Sequence, residues 1–201
     1  CNACLVGKAH RLSFPATSSR ASKPLELVHS DVLDMTVPSI GGKRYIVTLT
    51  DDFSRKTWAF AMASKAEVAS HFQAWIARAE NESGHTVKRF RSDNGGEFIA
   101  GSLQTEFKRR GIAFEPSQAY TPQQNGRAER LNRTILNFIR TMLIQSGLPQ
   151  SFWAEALNCL LHVKNRLPHS AVKGDIPERL WSGNPPNISH FRPFGCEAIT
   201  T

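Results

Sequence analysis

Hydrophobic spacing along this chain switches between two periods. Residues 25–33, 45–50 and 57–61 are rich in Leu, Val, Ile, Thr and aromatic side chains, with polar residues interleaved. Such runs suit half-buried strands. Gly41-Gly42 and Asp51-Asp52-Phe53-Ser54-Arg55 separate them with turn-forming residues, so the three runs predict an antiparallel meander. Over residues 66–80 the period lengthens. Val68, Phe72, Trp75, Ile76 and Ala79 fall on one helical face, and Gly84 stands just past the end.

The pattern continues with a strand over 86–93, a helix near 102–110 stopped by Gly111, and a short strand over 112–115. Residues 116–126 are rich in Pro, Gln, Asn and Gly and read as a polar loop. A long helix is predicted over 127–146 with Gly147-Leu148-Pro149 as its stop, and a second over 150–167, buried along Phe152, Trp153, Ala156, Leu160 and Val163. Residues 168–201 carry many prolines and read as an irregular extension packed on the core. Strands followed by alternating helices and strands predict an α/β fold, a mixed sheet flanked by helices. Three segments follow: a lead-in over 1–24, a core over 25–167 and the extension over 168–201.

Composition narrows the partner. The 201 residues are 40% hydrophobic and carry a formal net charge of +8, which fits a globular domain that meets a polyanion. No apolar run approaches the roughly 20 residues of a membrane helix, so no membrane partner is expected. Four cysteines, two of them in Cys1-Asn2-Ala3-Cys4, do not make a disulfide framework. Cys1 and Cys4 have zinc-ligand spacing, but a structural zinc site needs four ligands. The chain does not begin with Met, as expected of a fragment or a processed product.

Three carboxylates stand where chemistry could be done. Asp93 ends a strand and precedes Gly95-Gly96; Asp31 lies in the first strand; Glu129 lies near the start of the long helix, with 35 residues between Asp93 and Glu129. Converging carboxylates are hard-oxygen ligands for divalent cations. Asp51, Asp52 and Glu97 compete, but an Asp in a turn commonly caps its own backbone, and Asp34 would point to the opposite face from Asp31. On the long helix, Arg133, Arg140 and Asn137 fall about 40°, 20° and 80° from Glu129 at 100° per residue. Leu131, Ile135, Phe138 and Met142 form the opposing apolar stripe, near 180–240° on the same scale. The arginines read as a phosphate track, and Gln123, Gln124 and Asn125, with Arg127 and Arg130, as further DNA contacts.

The words His29-Ser30-Asp31, Ser92-Asp93-Asn94-Gly95-Gly96-Glu97-Phe98 and Tyr120-Thr121-Pro122-Gln123-Gln124-Asn125-Gly126-Arg127-Ala128-Glu129-Arg130 resemble the catalytic core of retroviral-type integrases. Ser151-Phe152-Trp153-Ala154-Glu155-Ala156 and Phe194-Gly195-Cys196 are similar to the copia type of LTR retrotransposon in particular. The resemblance implies a ribonuclease-H-like fold on a five-stranded sheet, and an Asp31–Asp93–Glu129 triad holding two Mg²⁺ or Mn²⁺ ions. It implies 3′-end processing and strand transfer on double-stranded DNA by a homo-oligomer. The protein would be cut from a polyprotein, pass through a cytoplasmic particle and act in the nucleus. It also makes Cys1 and Cys4 the remnant of a zinc finger whose histidines lie upstream, so Zn²⁺ is expected only with that finger present. Two other readings start from the same residues: a catalytically inactive nucleic-acid-binding domain, and a plain divalent-metal nuclease.

Overall fold

The alternating runs form strands β1 (Leu27–Asp34), β2 (Tyr45–Asp51) and β3 (Thr57–Met62), paired as an antiparallel meander. Two further strands, β4 (Arg89–Ser92) and β5 (Ala113–Pro116), lie parallel to β1 on its other side. The sheet order is β3-β2-β1-β4-β5. This computed structural model describes residues 20–99, 101–117 and 122–197, and for 122–129 the backbone alone. Cys1 and Cys4 lie outside the described residues, as do the side chains of Gln123, Gln124, Asn125, Arg127 and Glu129.

Helices cover both faces. On one lie α1 (Val68–Ser83), the single turn α2 (Gly96–Ile99) and α3 (Gly101–Arg110). The buried face of α1 is Val68, Phe72, Trp75, Ile76 and Ala79, the set its periodicity predicts. Gly84 ends it in the left-handed conformation, φ 67°, which a side chain would strain. Phe72 meets Phe90 and Phe107 edge to face at centroid distances of 5.2 and 5.3 Å, a geometry favoured by the ring quadrupoles. The other face is covered by α4 (Pro122–Ser146) and α5 (Trp153–Lys164). Ile135, Ile139 and Leu143 of α4 pack there with Leu33, Ile46, Trp153 and Leu157.

Four sequence expectations are corrected. The long helix begins at Pro122, not residue 127, because proline suits a first helical turn, where its missing N–H has no partner to lose. Gln123, Gln124 and Asn125 are therefore on helical backbone instead of a loop. Phe138 is 51% exposed; the buried stripe runs through Ile139 and Leu143, rotated from the predicted one. Residues 150–152 form a 3-10 turn and the helix after it ends at Lys164. The extension is not irregular throughout: α6 (Pro177–Ser182) inserts Trp181 into the core.

Trp181 meets Trp58 edge to face at 4.8 Å, and Lys56 Nζ lies 5.2 Å from the Trp181 ring centre while donating to Glu178 at 3.0 Å. The extension is thus fastened to β3. Asp51 fastens the other end. It is fully buried and accepts from Leu25 N at 2.8 Å and from Ser54 N and Oγ at 2.7 Å. Burial raises its pKa, and the Ser54 and Leu25 hydrogen bonds oppose that rise. Asp51 acts as a backbone cap, as its turn setting predicts.

Candidate active site

The sheet topology makes neighbours of the two strands that carry or lead to Asp31 and Asp93. In the parallel pairing His29 stands opposite Arg91. Two residues further along come Asp31 on β1 and Asp93, one position past the end of β4, so both stand toward the same end of this strand pair. Adjacent strands lie about 4.8 Å apart. Both residues are half-buried.

Each carboxylate is held by named donors. The N–H of Val32 donates to Asp31 Oδ1 at 2.8 Å, and the Asn132 amide donates to Asp31 Oδ2 at 2.6 Å. Gly95 N–H donates to Asp93 Oδ1 at 3.1 Å. The turn is tight: a Cβ at Gly95 would stand 2.8 Å from Glu97 Oε2 and 3.0 Å from Asp93 Oδ1, so the Glu97 side chain would have to swing away. Glu97, one of the competing acids, folds over this turn with Lys65 Nζ at 3.5 Å.

Asn132 is the residue that sequence reasoning missed. It follows Glu129 by three residues, one turn on along the same face of α4. That spacing was the available signal. Its amide ties α4 to β1 beside Asp31, while its Oδ1 is buried with no hydrogen-bond partner among the described residues. The Glu129 backbone position is therefore one helical turn from the Asn132–Asp31 contact. Among the described residues no three His, Cys, Asp or Glu side chains converge.

The basic residues separate into three groups. Arg133 and Arg140 are exposed on α4, and Arg130 is exposed one turn before Arg133. Arg89 and Arg91 of β4 are occupied by Glu26 and Glu115. Arg109 and Arg110 pair with Glu106, whose carboxylate these contacts hold down at about 2. Asp52 also pairs, with His29 at 3.1 Å and Arg55 at 3.0 Å. Burial alone would raise its pKa; the His29 and Ala21 hydrogen bonds and the Arg55 charge outweigh it and hold the group well below the usual range.

A model of the integrase core domain matches residues 21–122, half of the chain. The chain belongs to the integrase core domain family. Over 200 residues, 99% of this chain, it is 43% identical to the retrovirus-related Pol polyprotein from transposon TNT 1-94 of Nicotiana tabacum, of which it spans 15%. The HTLV-2 integrase catalytic core domain, solved in complex with magnesium, superposes with a TM-score of 0.61 at 19% identity, covering 81% of this chain and 99% of that one. A chain of the simian T-cell lymphotropic virus intasome, solved in complex with the PP2A regulatory subunit B56 gamma, superposes with a TM-score of 0.67 at 17% identity, over 91% of this chain and 62% of that one. These likenesses establish the ribonuclease-H-like fold of the integrase core seen above.

Proposed function

We propose that this integrase core cuts and joins DNA: it trims the 3′ ends of a retrotransposon's DNA and transfers them to a target strand. The observation that supports this reading is the parallel β1–β4 pairing, which runs toward Asp31 and Asp93 at one end of neighbouring strands, with Asn132 tying Asp31 to α4 one turn after Glu129. The similar HTLV-2 core was solved with magnesium, and the simian relative is an intasome.

Asp31, Asp93 and Glu129 fit a site for two Mg²⁺ or Mn²⁺ ions by donor chemistry, since hard divalent cations prefer carboxylate oxygens. Ions held there would supply positive charge to the attacking and leaving oxygens of an in-line displacement. The chain's own residues do the rest. Val32 N–H and the Asn132 amide fix both oxygens of Asp31; Gly95 N–H fixes Asp93. Fixed ligands lose little freedom when a cation arrives, so the edge is organised before DNA binds. Exposed Arg130, Arg133 and Arg140 give α4 a cationic face for phosphates. Water is the nucleophile in end trimming and the freed 3′-hydroxyl in strand transfer. In each step one P–O bond forms as another breaks, and the leaving oxygen takes up a proton. DNA ends and target DNA are the partners, the assembly is a homo-oligomer, and integration places it in the nucleus.

Carboxylates that converge on one site repel each other unless a cation is present. Mg²⁺ or Mn²⁺ is therefore expected to raise the melting temperature, and Asp31→Asn combined with Asp93→Asn to abolish the shift. Equal metal shifts in the two proteins would remove the metal assignment.

A further inference from the structure

Beside the carboxylate edge, the same sheet face opens into a cavity of about 590 Å³. Its floor is the cross-strand row His29–Thr50–Thr57, which adjoins the row of Asp31, Thr48 and Ala59. His29 precedes Asp31 by two residues, about 7 Å along a strand. The walls are basic: Arg130 from α4, Lys164 at the end of α5, Arg20, Arg55 and His169 from the connecting segments. The volume lies within the roughly 300–1,000 Å³ of small-molecule sites.

Among the described residues, two of the cations in this cavity, Lys164 and Arg20, face no carboxylate partner. Asp52 answers Arg55 and His29. Lys164 Nζ turns inward and donates to Thr57 Oγ1 at 3.1 Å. Arg20 is pinned at the rim by the carbonyl oxygens of Ala171 and Phe53 and by the Phe53 ring. A lysine at the end of a helix ordinarily serves the helix dipole from the solvent. Lys164 instead pays desolvation: burial, then the nearby Arg55 charge, lowers its pKa to about 8. A withdrawn ammonium, a pinned guanidinium and threonine hydroxyls facing one space make a donor set suited to an oxyanion with several acceptor oxygens.

We propose that this cavity is a phosphate-binding pocket, in which Lys164, Arg20 and Arg130 hold a phosphate group one strand row from Asp31. The phosphate comes either from a DNA strand crossing the carboxylate edge or from a small phosphorylated molecule. The pocket stands on its own cations and requires no DNA joining.

Isothermal titration of the metal-free protein with inorganic pyrophosphate, at fixed ionic strength, tests it. One saturable site is expected. Lys164→Met should weaken it roughly 10–100-fold, as for loss of a charged hydrogen-bond donor. Arg20→Ala, on the exposed rim, should weaken it several-fold and gives the answer if the Lys164 variant does not fold. No saturable site in the wild type, or undiminished binding in folded variants, overturns the pocket. Fluorescence anisotropy with duplex DNA then separates the sources. Displacement of DNA by pyrophosphate, with a salt slope lower by about one in Lys164→Met, identifies a DNA phosphate. DNA binding indifferent to both, beside Lys164-dependent pyrophosphate binding, identifies a small molecule. Strand transfer is not read, so failure of the joining mechanism would leave this result standing.

Discussion

Replacing Lys164 by Met should stabilise the protein at neutral pH, and the gain should vanish in alkali. Methionine matches the length of the lysine stem and removes the charge that the protein surrounds with other cations. The lysine pKa falls from an ordinary 10.5 to about 8 in the folded chain, through burial first and the Arg55 charge second. That drop corresponds to about 3 kcal/mol of preference for the neutral amine. Below pH 8 both folded and unfolded chains hold the proton, and the folded state bears the full cost. Between pH 8 and 10.5 the unfolded chain retains a proton that the folded chain has released, so stability rises with pH across that window. Methionine forfeits the hydrogen bond to Thr57, worth about 1 kcal/mol. The variant should therefore be about 2 kcal/mol more stable at pH 7 and no more stable than wild type above pH 10.5. Urea unfolding of both proteins at matched pH between 7 and 10.5 measures the difference, in which other lysines, Tyr45 and the cysteines cancel. A difference that is flat with pH, or a less stable variant at pH 7, would refute a half-buried ammonium held without a carboxylate partner.

Two further perturbations address the joining site. Asn132→Ala removes the amide from Asp31 and should lower strand transfer about 10–100-fold, as loss of a ligand-orienting partner does, with DNA affinity little changed; a matching loss of DNA binding would contradict the positioning role. Arg133→Ala and Arg140→Ala should each weaken DNA binding nearly uniformly across sequences and lower the salt slope by about one, measured by fluorescence anisotropy from 50 to 200 mM salt.

α1 was legible because it buries one face against a single layer, which leaves a clean helical period, and β1 to β3 because runs of β-branched and aromatic residues stand between turn formers. The five buried residues of α1 were readable from spacing alone. The start of α4 was not, because Pro122-Gln123-Gln124-Asn125-Gly126 contains no apolar residue to show a period. Further along α4, two candidate stripes overlap. Phe138 lies in the stripe with Leu131, Ile135 and Met142 on the helical wheel, yet Ile139 and Leu143 face the sheet. The six residues of α6 are too few for a 3.6-residue pattern, although Pro177 and Gly183 mark its two ends. Asp31 and Asp93 were found as strand-associated acids, whereas their adjacency depends on a β1–β4 pairing that sequence does not state. The basic cavity was illegible for a related reason: Arg20, Arg55, Arg130 and Lys164 come from four separate segments, and only the tertiary fold makes them neighbours.

The joining chemistry is tested most directly by Glu129→Gln in a strand-transfer assay with a pre-trimmed donor end, a target duplex, and Mg²⁺ or Mn²⁺. The substitution preserves size and helix propensity and removes one negative charge. DNA binding depends mainly on lysine and arginine contacts to phosphate, so binding measured alongside should persist or tighten slightly. Joining should fall by at least about 100-fold, since weaker occupancy of a metal position withdraws charge from the reacting oxygens. End trimming should fall with it, because one site performs both steps. Glu97→Gln, which alters the acid folded over Gly95 beside Asp93, is the control and should retain measurable turnover. A folded Glu129→Gln protein that joins DNA at near the wild-type rate would contradict the triad and the mechanism built on it.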